Sequence, residues 1–155
     1  MTNSASERTD FDVIVIGGGP TGSTVSNLLA QEGFSVLCLE KDHFPRFHIG
    51  ESLLPMCLPV IEQLGVPPDE HTFVYKQGAE FLCERTGRRR QFVFTETLPG
   101  CGSHAWHVDR ARFDAALRDA AARAGATVRH GETVVDAGID GDTAFLRTRT
   151  QTFRG

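Results

Sequence analysis

Phe11–Gly22 reads FDVIVIGGGPTG and Phe34–Glu40 reads FSVLCLE. The first run is β-branched with no polar alternation after Asp12, which predicts a strand over Phe11–Ile16 buried on both faces of a parallel sheet. It breaks at Gly17. Val25, Leu28 and Leu29 then recur at helical spacing over Pro20–Gln31, and Gly33 is the C-terminal stop. The second run predicts another buried strand, ending in Glu40. Strand, tight glycine turn, helix and strand within forty residues specify a βαβ unit, and the right-handed crossover makes its strands parallel neighbours.

Gly17, Gly19 and Gly22 form G-x-G-x-x-G, and Glu40 stands 23 residues after Gly17. Each element has a physical job. Gly17 allows the sharp turn, Gly19 lets backbone approach a pyrophosphate, and Gly22 permits close packing of helix on strand. The amides at the helix start, around Pro20 and Thr21, hold phosphate charge with the help of the helix dipole. Glu40 would accept hydrogen bonds from ribose hydroxyls and repel a 2′-phosphate, with Lys41 beside it. A ligand-free glycine turn is the ordinary alternative. Strand, spacing and acid together favour dinucleotide binding.

Outward from this unit, Lys41–Gly50 (KDHFPRFHIG) has no sustained period and reads as an ordered loop. Ser52–Leu64 offers a helix with Ser52 as N-cap, its first turns disturbed by Pro55 and Pro59. Strands are expected over Phe73–Lys76, Ala79–Glu84, Gln91–Thr95 and His104–Val108, with Arg85–Arg90 as a hairpin turn whose tip, Arg88–Arg90, is solvated. Asp109 caps a helix over Arg110–Ala124 in which Phe113, Ala116, Leu117, Ala120 and Ala124 share a face and Gly125 is the stop. Thr127–His130, Glu132–Ile139 and Thr143–Thr150 read as strands, the last two joined at Asp140–Gly141.

The 155 residues carry 16 Lys+Arg against 20 Asp+Glu, a net charge of −4 that excludes polyanion binding by bulk charge. Hydrophobic residues make up 40% of the chain, enough for a packed core. No apolar stretch approaches the roughly 20 residues of a spanning helix. Neither nucleic acid nor membrane is expected as a partner. Met1–Asp10 is polar and reads as a disordered leader on a cytoplasmic protein. Cys38, Cys57, Cys83 and Cys101 lack CxxC spacing and are expected as buried thiols. His104 and His107 would point to opposite faces of a strand, so with Cys101 they make no metal site. His43 and His48 are expected as loop histidines.

IGGGPTGS, LLAQEG and LEKDHFPRFHIGESLLP, with Tyr75–Phe81 (YKQGAEF) and Trp106–Asp114 (WHVDRARFD), resemble the N-terminal part of flavin-dependent halogenases, a branch of the aromatic-hydroxylase flavoproteins. The resemblance implies FAD, and chemistry in which reduced flavin and oxygen turn halide into hypohalous acid. It implies a phenolic or pyrrolic substrate, free or bound to a carrier protein, and a separate flavin reductase supplying FADH2. The family's later Trp-x-Trp-x-Ile-Pro motif is not in this sequence. The expected fold is therefore α/β, a Rossmann-type FAD-binding βαβ unit with inserted β-strands, with residues 11–155 the N-terminal part of an incomplete domain. A monooxygenase or reductase of the same superfamily, or a truncated and inactive nucleotide-binding piece, are the alternatives.

By the same resemblance Lys76, from the family's KxGAxF pattern, is the candidate catalytic residue, an ammonium in a largely apolar pocket that orients a small neutral oxidant. A surface lysine in a short strand is the ordinary alternative. Arg46 would pair with flavin phosphate or ribityl oxygens, and the Gly50, Glu51 and Ser52 backbone would pass beside the isoalloxazine ring. Arg110 would also reach the cofactor. For both arginines a solvated position is the alternative. Ser26 replaces the family's usual Gly or Ala facing the first strand, and its small hydroxyl is expected to fit there, at modest cost if its partner is the helix backbone.

Overall fold

A computed structural model describes residues 9–68, 72–96, 100 and 102–155. These divide into two compact units, one formed by the residues up to Arg46 with Asp114–Gly155, the other by Phe47–Phe113.

In the first unit, β1 (Val13–Ile16), α1 (Pro20–Gln31) and β2 (Val36–Glu40) form the expected βαβ, with β1 and β2 parallel in the register Val13↔Val36 to Ile16↔Leu39. A later strand, β7 (Thr127–His130), pairs in parallel on the other side of β2. Every residue of β2 is therefore buried, whereas β1 lies at the edge of these three strands, half-buried, with Ile16 58% exposed. The expectation of a first strand buried on both faces is corrected by that edge position.

Side chains alternate across the parallel sheet. Val13, Val15, Val36 and Val128 face Leu29 and Ala30 of α1 and Ala121 of α3 (Arg110–Arg123). On the other face Ile14, Leu37 and Leu39 meet Phe11, Val134, Leu146 and Phe153. The last three belong to an antiparallel sheet of β8 (Val134–Asp140), β9 (Thr143–Thr148) and β10 (Thr152–Arg154). The β8–β9 turn is Gly141 and Asp142, one residue beyond the expected position, with Gly141 at φ +62°. β10 carried no sequence signal, since three residues show no period. It is nevertheless anchored by the completely buried Phe153 and by hydrogen bonds from Arg154 N to Thr9 O (2.9 Å) and Phe11 N to Arg154 O (2.9 Å). Thr9 and Asp10, placed by the sequence in a leader, join this edge; the rest of that segment, residues 1–8, lies outside the described residues.

The buried residues of α1 are Ser23, Ser26 and Asn27, while Val25 is exposed. Small residues face the strands because the helix comes very close: a Cβ on Gly22 would overlap the Gly17 carbonyl oxygen and lie 3.3 Å from Val15 Cγ1. Ser26 is completely buried, and its hydroxyl faces the Cys38 thiol rather than a helix carbonyl.

In the second unit, Pro55 and Pro59 break the expected Ser52–Leu64 helix into a 3₁₀ turn, Pro55–Cys57, and a short α2 (Leu58–Gln63). Ser52 is not a cap but bridges His107. β3 (Val74–Lys76) pairs antiparallel with β6 (Ala105–His107), and β4 (Gly78–Cys83) with β5 (Arg88–Val93). Arg88–Arg90 are exposed but lie within β5 rather than at the hairpin tip, because the chain already turns before them, with Gly87 at φ +66°. The thiols differ likewise from the expected buried set. Cys38 is buried, Cys57 half-buried and Cys83 exposed at the end of the β4–β5 ribbon, while Cys101 lies outside the described residues. Burial pushes the Cys38 thiol up, and the Thr86 hydroxyl and backbone N–H bring Cys83 down.

Gly22→Ala should lower stability by about 1–3 kcal/mol or more, because the added methyl must displace backbone rather than a flexible side chain. Urea unfolding of the two proteins measures this.

Candidate functional site

In the first unit the glycine turn, the end of β2 and the loop after it bring Gly17, Gly18, Gly19, Glu40 and Arg46 together. Gly17 adopts φ +100°, and its N–H donates to Leu39 O at 2.7 Å, so the turn is tied to β2. Glu40 is almost completely buried. Its Oε2 accepts the Gly18 N–H at 2.8 Å and its Oε1 accepts the Asp42 N–H at 3.0 Å. Burial alone would raise its pKa. The N–H donors of Asp42, Gly18 and Lys41, with the nearby Arg46 guanidinium, outweigh that and hold the carboxyl below the usual range.

Arg46 faces three carboxylates: Nη2 lies 3.5 Å from Glu40 Oε2 and 3.9 Å from Asp114 Oδ2, and Nη1 lies 4.0 Å from Asp42 Oδ2. Its Nε is buried with no hydrogen-bond partner among the described residues. It is thus not the solvated loop arginine of the alternative. Asp114, completely buried on α3, is a residue the functional reading of the sequence missed. The available signal was a carboxylate set between Phe113 and Leu117 on the apolar face of the helix.

The N-terminus of α1 has Gly19 at its cap position, Pro20 at its first turn and no side-chain cap. Its first amides have no helical acceptor. A Cβ on Gly19 would come within 3.2 Å of Arg46 Nη2. An uncapped helix N-terminus, a cradle that a side chain would narrow and an orphaned guanidinium N–H fit a phosphate-bearing group.

The second unit assembles the remaining candidates around β6. Ser52 and Val74 both pair with His107, and Lys76 pairs with Ala105. Leu53 N donates to Trp106 O at 2.9 Å and Val108 N to Glu51 O at 2.7 Å, fixing the Glu51–Leu53 segment along β6. Glu51 Oε2 lies 3.0 Å from His107 Nε2. Arg110 Nη1 donates to Ile49 O (3.1 Å) and Gly50 O (3.3 Å), so it braces the Gly50 turn, which has φ +101°. Asp109 Oδ1 accepts the Ala111 N–H at 2.9 Å, the expected cap of α3. Lys76 is half-buried rather than enclosed in an apolar pocket. Its Nζ donates to Ser52 Oγ at 2.7 Å and lies 5.5 Å from the centre of the Phe94 ring. His104 stacks on Tyr75 with ring centres 4.8 Å apart, away from His107.

Residues 10–154 match the family model described as FAD binding domain. Among curated proteins, flavin-dependent halogenase armH3 of Armillaria mellea is 42% identical over 125 residues, which are 79% of this chain and 24% of that protein. The 1H-pyrrole-2-carbonyl-[peptidyl-carrier protein] chlorinase of Pseudomonas fluorescens is 34% identical over 145 residues, 82% of this chain and 32% of the relative. The solved structure of a flavoprotein/dehydrogenase from Cytophaga hutchinsonii superposes with a TM-score of 0.84 at 32% identity, covering 94% of this chain and 37% of that one. The chain thus spans about 24% to 37% of the length of these proteins.

Glu40→Gln should destabilise the chain at neutral pH. Because the folded carboxyl titrates below its unfolded value, its ionic contribution is complete above about pH 4.3 and is lost as pH falls through the folded pKa. The stability difference between the two proteins, followed by denaturant unfolding, should therefore shrink on acidification below that point.

Proposed function

Since the chain belongs to the FAD binding domain family, and its cofactor is FAD, we propose that the protein of which it forms part is a flavin-dependent halogenase acting on a phenolic or pyrrolic substrate, free or held on a carrier protein. Halide is the second substrate, and a separate flavin reductase supplies the reduced cofactor. The carrier-bound form is supported by the likeness to the pyrrolyl-carrier chlorinase. A cytoplasmic setting fits the unpaired Cys38, Cys57 and Cys83.

What carries the halogenase reading is Lys76, one of only two lysines in the chain, whose ammonium is held half-buried between the Ser52 hydroxyl and the Phe94 ring. The uncapped N-terminus of α1 at Pro20 and Thr21, with Gly17 and Gly19, would hold the pyrophosphate, and the orphaned Nε of Arg46 would add a donor. Gly22 would set the depth of the turn. Glu40, its oxygens each keeping acceptor capacity beyond the protein N–H groups they receive, would take the adenosine ribose hydroxyls, with Lys41 alongside. Gly50, Glu51 and Ser52, braced by Arg110, would line the flavin end. FAD, when reduced, supplies the oxygen chemistry that converts halide to hypohalous acid. Lys76 would hydrogen-bond that small oxidant and orient it toward the aromatic carbon.

The likeness to a flavoprotein/dehydrogenase favours a second reading, an FAD enzyme of the same fold without a halide step. Two substitutions separate cofactor binding from halogen transfer. Gly19→Val should abolish FAD retention, since the side chain fills the approach beside Arg46; flavin fluorescence titration reads this, and unchanged affinity would refute the placement. Lys76→Ala, in the polypeptide carrying this segment at the length of its relatives, should keep FAD binding and flavin reoxidation. With bromide or chloride present it should lose halogenated product by about a hundredfold or more, since positioning an oxidant is worth several kcal/mol. Mass spectrometry of the products measures this: near-normal halogenation by Lys76→Ala would overturn the role of Lys76, and no halogenated product from the unsubstituted protein would favour the second reading.

A further inference from the structure

We propose that Ser52 is the positioning residue of Lys76, its hydroxyl fixing where the ammonium points; this rests on the reading that Lys76 carries halogen transfer. Residues paired across adjacent strands project to the same face of a sheet. Val74 and Ser52 both pair with His107, on its two sides, and Lys76 pairs with Ala105, two residues away on β6. Lys76, Ala105, His107 and Ser52 therefore share one face, while Tyr75 and Trp106 project from the other, where their rings meet edge to face at 5.4 Å.

To reach Ser52 the lysine side chain must cross β6. It does so at Ala105, which is completely buried and too small to obstruct the crossing. The Nζ–Oγ distance of 2.7 Å is that of a well-formed hydrogen bond from a charged donor. The buried Phe94 ring lies 5.5 Å from the same nitrogen and is itself fixed beside β3 by a hydrogen bond from Phe94 N to Gln77 O at 2.9 Å. A four-carbon stem leaves a lysine head with many rotamers. A hydroxyl delivered by a bridged segment and a ring delivered by the residue after β5 remove most of them. A hydroxyl acceptor is neutral, so it orients the head while leaving the ammonium its charge.

The experiment compares Ser52→Thr, which keeps an acceptor, with Ser52→Val, which has the same shape without one, and with Ser52→Ala. Trace acetylation with acetic anhydride, read by peptide mass spectrometry, gives the labelling of Lys76 relative to the exposed Lys41, the other lysine of the chain. An ammonium held by Ser52 must give up that bond before it is acylated. The Lys76/Lys41 ratio should therefore rise about two- to tenfold in the Val and Ala proteins and stay near the unsubstituted value in the Thr protein, at temperatures below each unfolding midpoint. Equal ratios in the Thr and Val proteins would overturn the proposal. Should the Val and Ala proteins fail to fold, the unsubstituted chain still decides: a held Lys76 ammonium should give a side-chain ¹⁵N–¹H cross-peak at mildly acid pH while exposed Lys41 does not, and its absence would equally overturn the proposal. Both measurements are made without flavin, halide or substrate, so their failure leaves the halogenase reading standing. That reading fails separately, if the unsubstituted protein yields no halogenated product, and the role of Lys76 fails on near-normal halogenation by Lys76→Ala.

Discussion

A carboxylate buried at the end of a central strand stays ionised only if donors surround it, and supplying them to Glu40 accounts for much of the first unit. One oxygen takes the Gly18 amide and the other the Asp42 amide, so the glycine turn and the loop after β2 are both tied to the strand end. The turn can present its amide only because Gly17 adopts a positive φ and α1 approaches closely over Gly22. The Arg46 guanidinium then approaches the same carboxylate from the loop. Glycine spacing, acid position and loop arginine are thus one mechanical device, although they are spread over thirty residues of sequence.

That coupling explains what was legible. β1, α1 and β2 could be read because strand, turn, helix and acid each constrain the others, and α3 because Asp109, the apolar face and Gly125 mark both its ends. Elements without such mutual constraint were less legible. The proline-broken stretch after Ser52 has helical spacing but cannot sustain the hydrogen bonds of a full helix. β10 is recognisable only from its partners, since a three-residue strand has no period and Phe153 counts as one apolar residue until β9 is beside it. The burial of β1 was overestimated because a β-branched run does not say which strand is central.

The candidate site shows the same division. Lys76 and Arg46 stood out through motif resemblance, but the groups that hold them did not. Asp114 lies 68 residues from Arg46, and Ser52 lies 24 residues from Lys76. Both approaches depend on tertiary pairing. The Ser52–Lys76 hydrogen bond needs β6 between its two partners and a small residue at Ala105, conditions that local sequence does not express. Ser52 also has a local reading as a helix cap, which the bridge to His107 overrides.

The charge balance around Arg46 bears on how a phosphate group would be held. One guanidinium faces Glu40, Asp42 and Asp114, so its positive charge is already compensated and it offers little net field to an approaching anion. What it retains is a directional donor, the buried Nε. The attraction must then come chiefly from the uncapped amides of α1 and the dipole behind them, both of which act only over a short range. A short-range attraction demands close approach, and a Cβ at Gly19 would already crowd the Arg46 guanidinium. The absence of a side chain at that position is therefore an electrostatic requirement as much as a steric one.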